Sequence, residues 1–310
     1  MPTRIKIYAR NFPHLLPLCA LLLFLTVSAS AQQIAFTWDD LPAHGTLPAN
    51  TTRLAIIQGI IKGMKDGGLP APYGFVNGVR LTEEPGTAGV LEAWRAAGFP
   101  LGNHGYTHMN LNSHTPEQFE ADVDQDEPLL QKLMGNADWH WLRYPNLAEG
   151  NTPEKHNEVR AYLQKKGYRI AAVTMSFADY NFTEPYARCV AKNDQPAIDQ
   201  LKHDYLQAAS DEADYRRAAA QAAYGRDIPY VLLMHVGGLD AQMLPQLIAL
   251  YKQKGFSFIS LEQAEKDPVF ATDIDLTITT PPPSSGQLAA QRGTTLPHPP
   301  PPPNIANLCR

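Results

Sequence analysis

The stretch QIAFTWDDLPAHG, Gln33 to Gly45, and the stretch that follows it, TRLAIIQGIIKGMKDGG, Thr52 to Gly68, together decide the fold. QIAFTW is short, apolar and rich in β-formers, so it reads as a buried strand. In the second stretch Ile57, Ile60, Ile61 and Met64 recur at helical spacing before a glycine pair, which predicts a helix with one buried face. A strand feeding an amphipathic helix is the unit of a parallel sheet. The alternation continues through YGFVNG, FPLGNH, WHWLRYP, YRIAAVTM, IPYVLLMHV and FSFISL as strand candidates, with helical stretches such as PGTAGVLEAWRAAGF and PEKHNEVRAYLQKKGY between them. About seven β/α units in roughly 240 residues suit one barrel or one open doubly wound sheet.

The 310-residue chain is 44% hydrophobic with a formal net charge of -5, so a sizeable core is possible and no nucleic-acid partner is indicated. Arg4, Lys6 and Arg10 precede the apolar run Leu15 to Val27, and Ala29-Ser30-Ala31 follows it, which is the layout of a signal peptide over residues 1–31. The apolar run is shorter than the ~20 residues a membrane span needs, so cleavage is favoured and membrane attachment arises only if the signal is retained as an anchor. Export to the periplasm, the cell envelope or the medium follows. Cys19 falls inside the signal, leaving Cys189 and Cys309, whose distance in sequence predicts two free thiols. The main domain is expected over 32–275, with a polar, Ala-rich helical insertion at 183–225. The tail 276–310, with nine prolines after residue 278, is expected to be disordered with polyproline II character.

In such a fold, polar residues at the C-terminal ends of strands line the site. Those ends carry Asp39 and Asp40, then His104 and His108, then Arg143 to Asn146, then Asp179 and Tyr180, then His235. Each has an ordinary reading alone: a solvated turn, a surface histidine pair, a core histidine, an arginine in any ion pair. Their recurrence at one end of successive strands outweighs those readings. His104, His108 and one of the two aspartates make a nitrogen–nitrogen–oxygen set that suits Zn²⁺ with an open position for water. The other aspartate is then free to act as a general base and His235 as a general acid, with an arginine holding the base ionised and a carboxylate keeping His235 protonated. The two adjacent side chains are expected to diverge through simple strand alternation.

These residues resemble the polysaccharide deacetylases, carbohydrate esterase family 4 with the NodB homology domain. Thr37-Trp38-Asp39-Asp40, His104 with His108, Arg143-Tyr144-Pro145-Asn146, Ser176 to Tyr180, and Leu233-Met234-His235 match that family's five motifs in order. The resemblance implies a distorted (β/α)7-type barrel over roughly residues 33–270, with Asp39 as base, Asp40, His104 and His108 as metal ligands, and Arg143 orienting Asp39. It also implies that Asp179 positions His235 as the acid, and that Leu233, Asn146 and Tyr180 meet the substrate. The implied reaction is metal-dependent removal of N-acetyl groups from a carbohydrate by a monomer. An O-acetyl esterase, a non-sugar amidase and a non-catalytic glycan-binding barrel are the rival readings. Leu41 replaces the family's glycine, LPAHG brings His44 close to the site, and Asn146, Ser176 and Tyr180 depart from the motifs in ways that bear on substrate rather than reaction.

Overall fold

A computed structural model describes residues 1–3 and 32–310. The expected signal peptide, with Cys19, lies almost wholly outside the described residues. In chain order the strands are β1 (Gln32–Leu41), β2 (Tyr73–Val76), β3 (Leu101–Asn103), β4 (Trp141–Leu142), β5 (Arg169–Ile170), β6 (Tyr230–His235) and β7 (Phe256–Phe258). The helices are α1 (Arg53–Gly67), α2 (Arg80–Glu83), α3 (Ala88–Ala96), α4 (Pro116–Met134), α5 (Pro153–Lys166), α6 (Thr183–Lys192), α7 (Gln195–Tyr224), α8 (Gly238–Gln253), α9 (Leu261–Ala264), α10 (Ala271–Ile274) and α11 (Ser285–Gln291).

All strand pairings are parallel, in the order β5-β4-β3-β2-β1-β6, with β7 beside the start of β1. Beyond β5 the chain runs on to Met175, which bridges Leu232 on the free edge of β6 and curls the sheet toward closure. The result is the distorted (β/α)7-type barrel. β1 is the hub, since it pairs with β2, β6 and β7. Its residues Ile34, Ala35, Trp38 and Leu41 are wholly buried, which is why its sequence is continuously apolar rather than alternating. The expected helix is α1, capped by the Thr52 side chain and ended by Gly68 in the left-handed region (φ 73°). It buries Ile56, Ile57, Ile60 and Met64. Residues 183–225 form the helical pair α6 and α7.

Two expectations fail at the C-terminus. The tail is not a free polyproline segment: α11 packs on α7, Ala289 and Ile305 are buried, and Arg188 donates to the carbonyls of Ala306 and Leu308. The thiols are not free either, because Cys189 of α6 and Cys309 form a disulfide. A tail that wraps back onto α6 makes sequence distance irrelevant to pairing. The proline count conceals the apolar anchors Ala289 and Ile305, which tether the tail in place.

Candidate active site

β1 carries two adjacent carboxylates into the mouth of the barrel. The pairing of β1 with β2 shifts register between Trp38 and Leu41, and Asp40 lies in the left-handed region (φ 60°). This local bulge overrides alternation. Asp39 Oδ2 and Asp40 Oδ1 stand 3.6 and 3.5 Å from the same nitrogen, His104 Nε2. The two side chains therefore converge on one imidazole, which corrects the expectation that they diverge.

Asp39 is buried and faces Arg143, whose Nη1 donates to its Oδ1 at 3.2 Å. Arg143 is itself fully buried, with Nε on the Ala171 carbonyl at 2.7 Å and Nη2 on Thr37 Oγ1 at 3.0 Å. Burial lowers its pKa and Asp39 opposes that effect. A planar cation fixed at three corners by sheet groups holds the Asp39 carboxylate in one orientation.

Asp40, His104 and His108 bring one donor atom each within 4.8 Å of one another. His108 Nε2 is 3.5 Å from Asp40 Oδ1, the same oxygen that faces His104. That oxygen is buried and has no hydrogen-bond partner among the described residues, so the set fits a cation at the shared point. His104 Nδ1 donates to the Arg143 carbonyl at 2.7 Å, which leaves the Nε2 lone pair for a ligand. Burial, with His104 beside it, pushes the His108 pKa down to about 4, which keeps that imidazole neutral. Burial would lower His104 too, but Asp39 and Asp40 outweigh it and raise the value. Asp40 is held well below the usual carboxylate range, since the neighbouring His104 and His44 imidazoles overcome its burial.

The two histidines are not joined by a helical turn. They sit on a loop built by residues that the motif reading passed over. Asn77 Nδ2 donates to the carbonyls of His104 and Gly105, Gly105 N–H donates to Asn103 Oδ1, and Thr107 donates from N–H and Oγ1 to Asp122. Gly105 is required here: at φ 69° a Cβ would sit 2.7 Å from Asp122 Oδ2. Asp122 lies on α4 along the buried stripe with Phe119, Val123, Asp126 and Leu130. A carboxylate on an apolar helical face was the sequence signal for it.

His235 ends β6 directly opposite Asp39. Its backbone N–H and its Nδ1 both donate to Asp179, at 2.6 and 3.0 Å. Burial alone would lower the His235 pKa, but the adjacent Asp179 charge raises it to about 10. Asp240, fully buried nearby and accepting from Tyr205 at 2.7 Å, is pushed well above the usual carboxylate range by burial and by the neighbouring Asp179 charge. Tyr180 presents its ring edge to His235 at 5.4 Å.

One cleft of about 410 Å³ is lined by Asp39, Asp40, His44, His104, His108, Asn146, Ser176, Tyr180, Leu233 and His235, among others. Arg143 and Asp179 stand behind it. All ten sequence-predicted site residues are thus at or directly behind one cleft. Asp40, His108, Asn146, Leu147 and Ala178 all have φ between 54° and 60°, so left-handed non-glycine residues gather around it. Leu147, 46% exposed, and Tyr180, 44% exposed, are apolar surfaces at its rim.

The chain matches the polysaccharide deacetylase family profile over residues 26–171. Its fold is similar to that of the chitin deacetylase of the fungal pathogen Colletotrichum lindemuthianum, at 20% identity and a TM-score of 0.51, covering 76% of this chain and 88% of that one. It is also similar to a pseudoenzyme of carbohydrate esterase family 4 from Bacillus anthracis, at 15% identity and a TM-score of 0.51, covering 76% of this chain and 66% of that one. A mutant pseudoenzyme of that family with restored enzymatic activity aligns at 16% identity and a TM-score of 0.52, covering 76% and 68%. No curated protein matches the chain.

Proposed function

We propose, from the premise that this chain carries a polysaccharide deacetylase domain, that it is a metal-dependent hydrolase removing N-acetyl groups from a cell-wall or extracellular glycan. The observation that supports this most is the pairing of an Arg143-held Asp39 with an Asp179-held His235 across neighbouring strands, beside the Asp40, His104 and His108 donors. Two imidazoles and a carboxylate suit Zn²⁺, which when bound supplies a Lewis acid that lowers the pKa of water and polarises the acetyl carbonyl.

The chain's own groups do the rest. Asp39 accepts a proton from the attacking water, and Arg143 keeps that carboxylate ionised and aimed. A carbon–oxygen bond forms, and the backbone N–H at Asn146 donates to the developing oxyanion. As the carbon–nitrogen bond breaks, His235 gives its Nε2 proton to the departing amine, since Nδ1 is engaged by Asp179. Acetate and a free amino sugar leave. Leu233, 7% exposed in the cleft, offers an apolar seat for the acetyl methyl, and Asn146 and Tyr180 face the sugar. The signal-like leader and the Cys189–Cys309 disulfide both support an exported protein, because disulfides persist in oxidising compartments.

The test is acetate and amine release by the purified chain from chitooligosaccharides and from acetylated xylan, with bound metal measured after dialysis. His104→Ala is expected to lose both metal and activity, whereas Asp39→Asn keeps metal and loses activity. Release from xylan alone would sink the amide assignment, and a fully active Asp39→Asn would remove Asp39 as the base.

A further inference from the structure

The loop after the two aspartates departs from the family's motif, and the departure places a third histidine on the metal-facing carboxylate. His44 Nδ1 lies 2.7 Å from Asp40 Oδ2. A carboxylate oxygen only accepts, so Nδ1 carries the proton of this bond. The other oxygen of the same carboxylate, Oδ1, is the one 3.5 Å from both His104 and His108. We propose that His44 is a positioning residue: it holds Oδ2 of Asp40 so that Oδ1 alone is presented to the cation.

The loop is built to keep His44 there. Arg53 Nη1 and Nη2 donate to the carbonyls of His44 and Gly45 at 2.8 and 2.7 Å. Thr46 N–H and Oγ1 donate to Glu184 of α6 at 2.9 and 2.8 Å. Gly45 is in the left-handed region (φ 54°), and a Cβ there would meet Thr183 at 2.6 Å. A side chain clamped by its backbone on both sides loses little freedom in making its bond.

His44 also occupies the space between Asp40 and the acid. Its ring packs on that of His235, with centroids 4.5 Å apart. Asp40, His44 and His235 bring a donor atom each within 4.8 Å of one another, so without His44 the Asp40 carboxylate could swing toward His235. Carboxylate rotation about χ2 is soft, and the His235 ring lies within its reach. His44 thus keeps the ligand and the acid apart.

This inference rests on Asp40, His104 and His108 holding the cation. It is tested on the full chain by Zn²⁺ affinity, measured by competition with a chromogenic chelator, and by the visible absorption of the Co²⁺-loaded protein. His44→Ala is expected to weaken Zn²⁺ roughly 10–100-fold and to alter the Co²⁺ spectrum, as loss of an outer partner does. His44→Asn, whose amide nitrogen can take the place of Nδ1, should regain most of the affinity and the wild-type spectrum. Unchanged affinity and spectrum in His44→Ala would overturn the inference alone, as would a loss as complete as that of His104→Ala, which would make His44 a ligand. A wild-type chain that binds no Zn²⁺ would overturn the proposed function together with this inference.

Discussion

Asp179→Asn removes one charge from a buried pair while preserving the side chain's shape. The His235 pKa stands at about 10 against an ordinary 6.5. That difference is on the order of 5 kcal/mol in favour of the imidazolium. Burial works against the charged ring, so removing the Asp179 charge should return His235 to about its ordinary value or below, although Asp39 and Asp40 still favour protonation. A group of pKa about 6.5 is only ~3% protonated at about pH 8, which predicts a roughly 30-fold loss of acetate release there and little loss below about pH 6. The ratio of wild-type to variant rate should therefore climb with pH. Rates on a chitooligosaccharide across that range, with the His235 titration followed by NMR, provide the assay. A ratio that stays constant from about pH 6 to about pH 9 would refute the assignment of Asp179 as the group that keeps the acid protonated. Stability follows the same sign: a folded-state pKa raised above the unfolded value contributes fully below about 6.5, and that contribution is lost as pH rises through about 10. Denaturant titrations should show wild type losing stability across that window and the variant losing less.

Two further outcomes concern the frame. Burial raises the Asp126 pKa to about 8, so folding must hold a proton that the unfolded chain releases above about 3.8, and stability falls as pH rises between those values. Asp126→Asn keeps an acceptor for the Gly78 N–H and should be more stable than wild type at neutral pH, with a flatter pH dependence by urea denaturation. A variant that is less stable at pH 7 and no flatter would show that Asp126 is ionised when folded. Cys309→Ser opens a loop of 120 residues, for which chain entropy gives roughly 4.9 kcal/mol. Its melting temperature should fall by several degrees, and an unchanged value under oxidising conditions would mean that the tail's other contacts suffice.

Much of the site was legible because its chemistry sits at strand ends, where one residue from each of several strands must face one mouth. Asp39, Arg143 and His235 could be read that way. The convergence of Asp39 and Asp40 could not, since it depends on a register shift and a left-handed Asp40 that no alternation rule contains. Asn77 and Asp122 escaped for a different reason: they act on the backbone of the histidine loop from elements distant in sequence, and only Asp122's place on an apolar helical stripe hinted at it. The tail was misread because composition averages away position. Nine prolines signal extension, yet a few apolar side chains, Ile305 among them, and one thiol are enough to pin it.

The three-way pairing of β1 bears on how the strain at Asp40 is sustained. A left-handed non-glycine residue costs of order 1–3 kcal/mol, and in a fraying loop the backbone would relax it. Here the strained residue belongs to a strand tied to β2, β6 and β7, so relaxing it means parting the centre of the sheet. The amides of β1 should therefore exchange with solvent only through the largest opening of the molecule, and the carboxylates it carries share that protection. The carboxylate-bearing end of β1 is in this sense held as firmly as the sheet itself, while the exposed rim at Leu147 and Tyr180 is left free to vary.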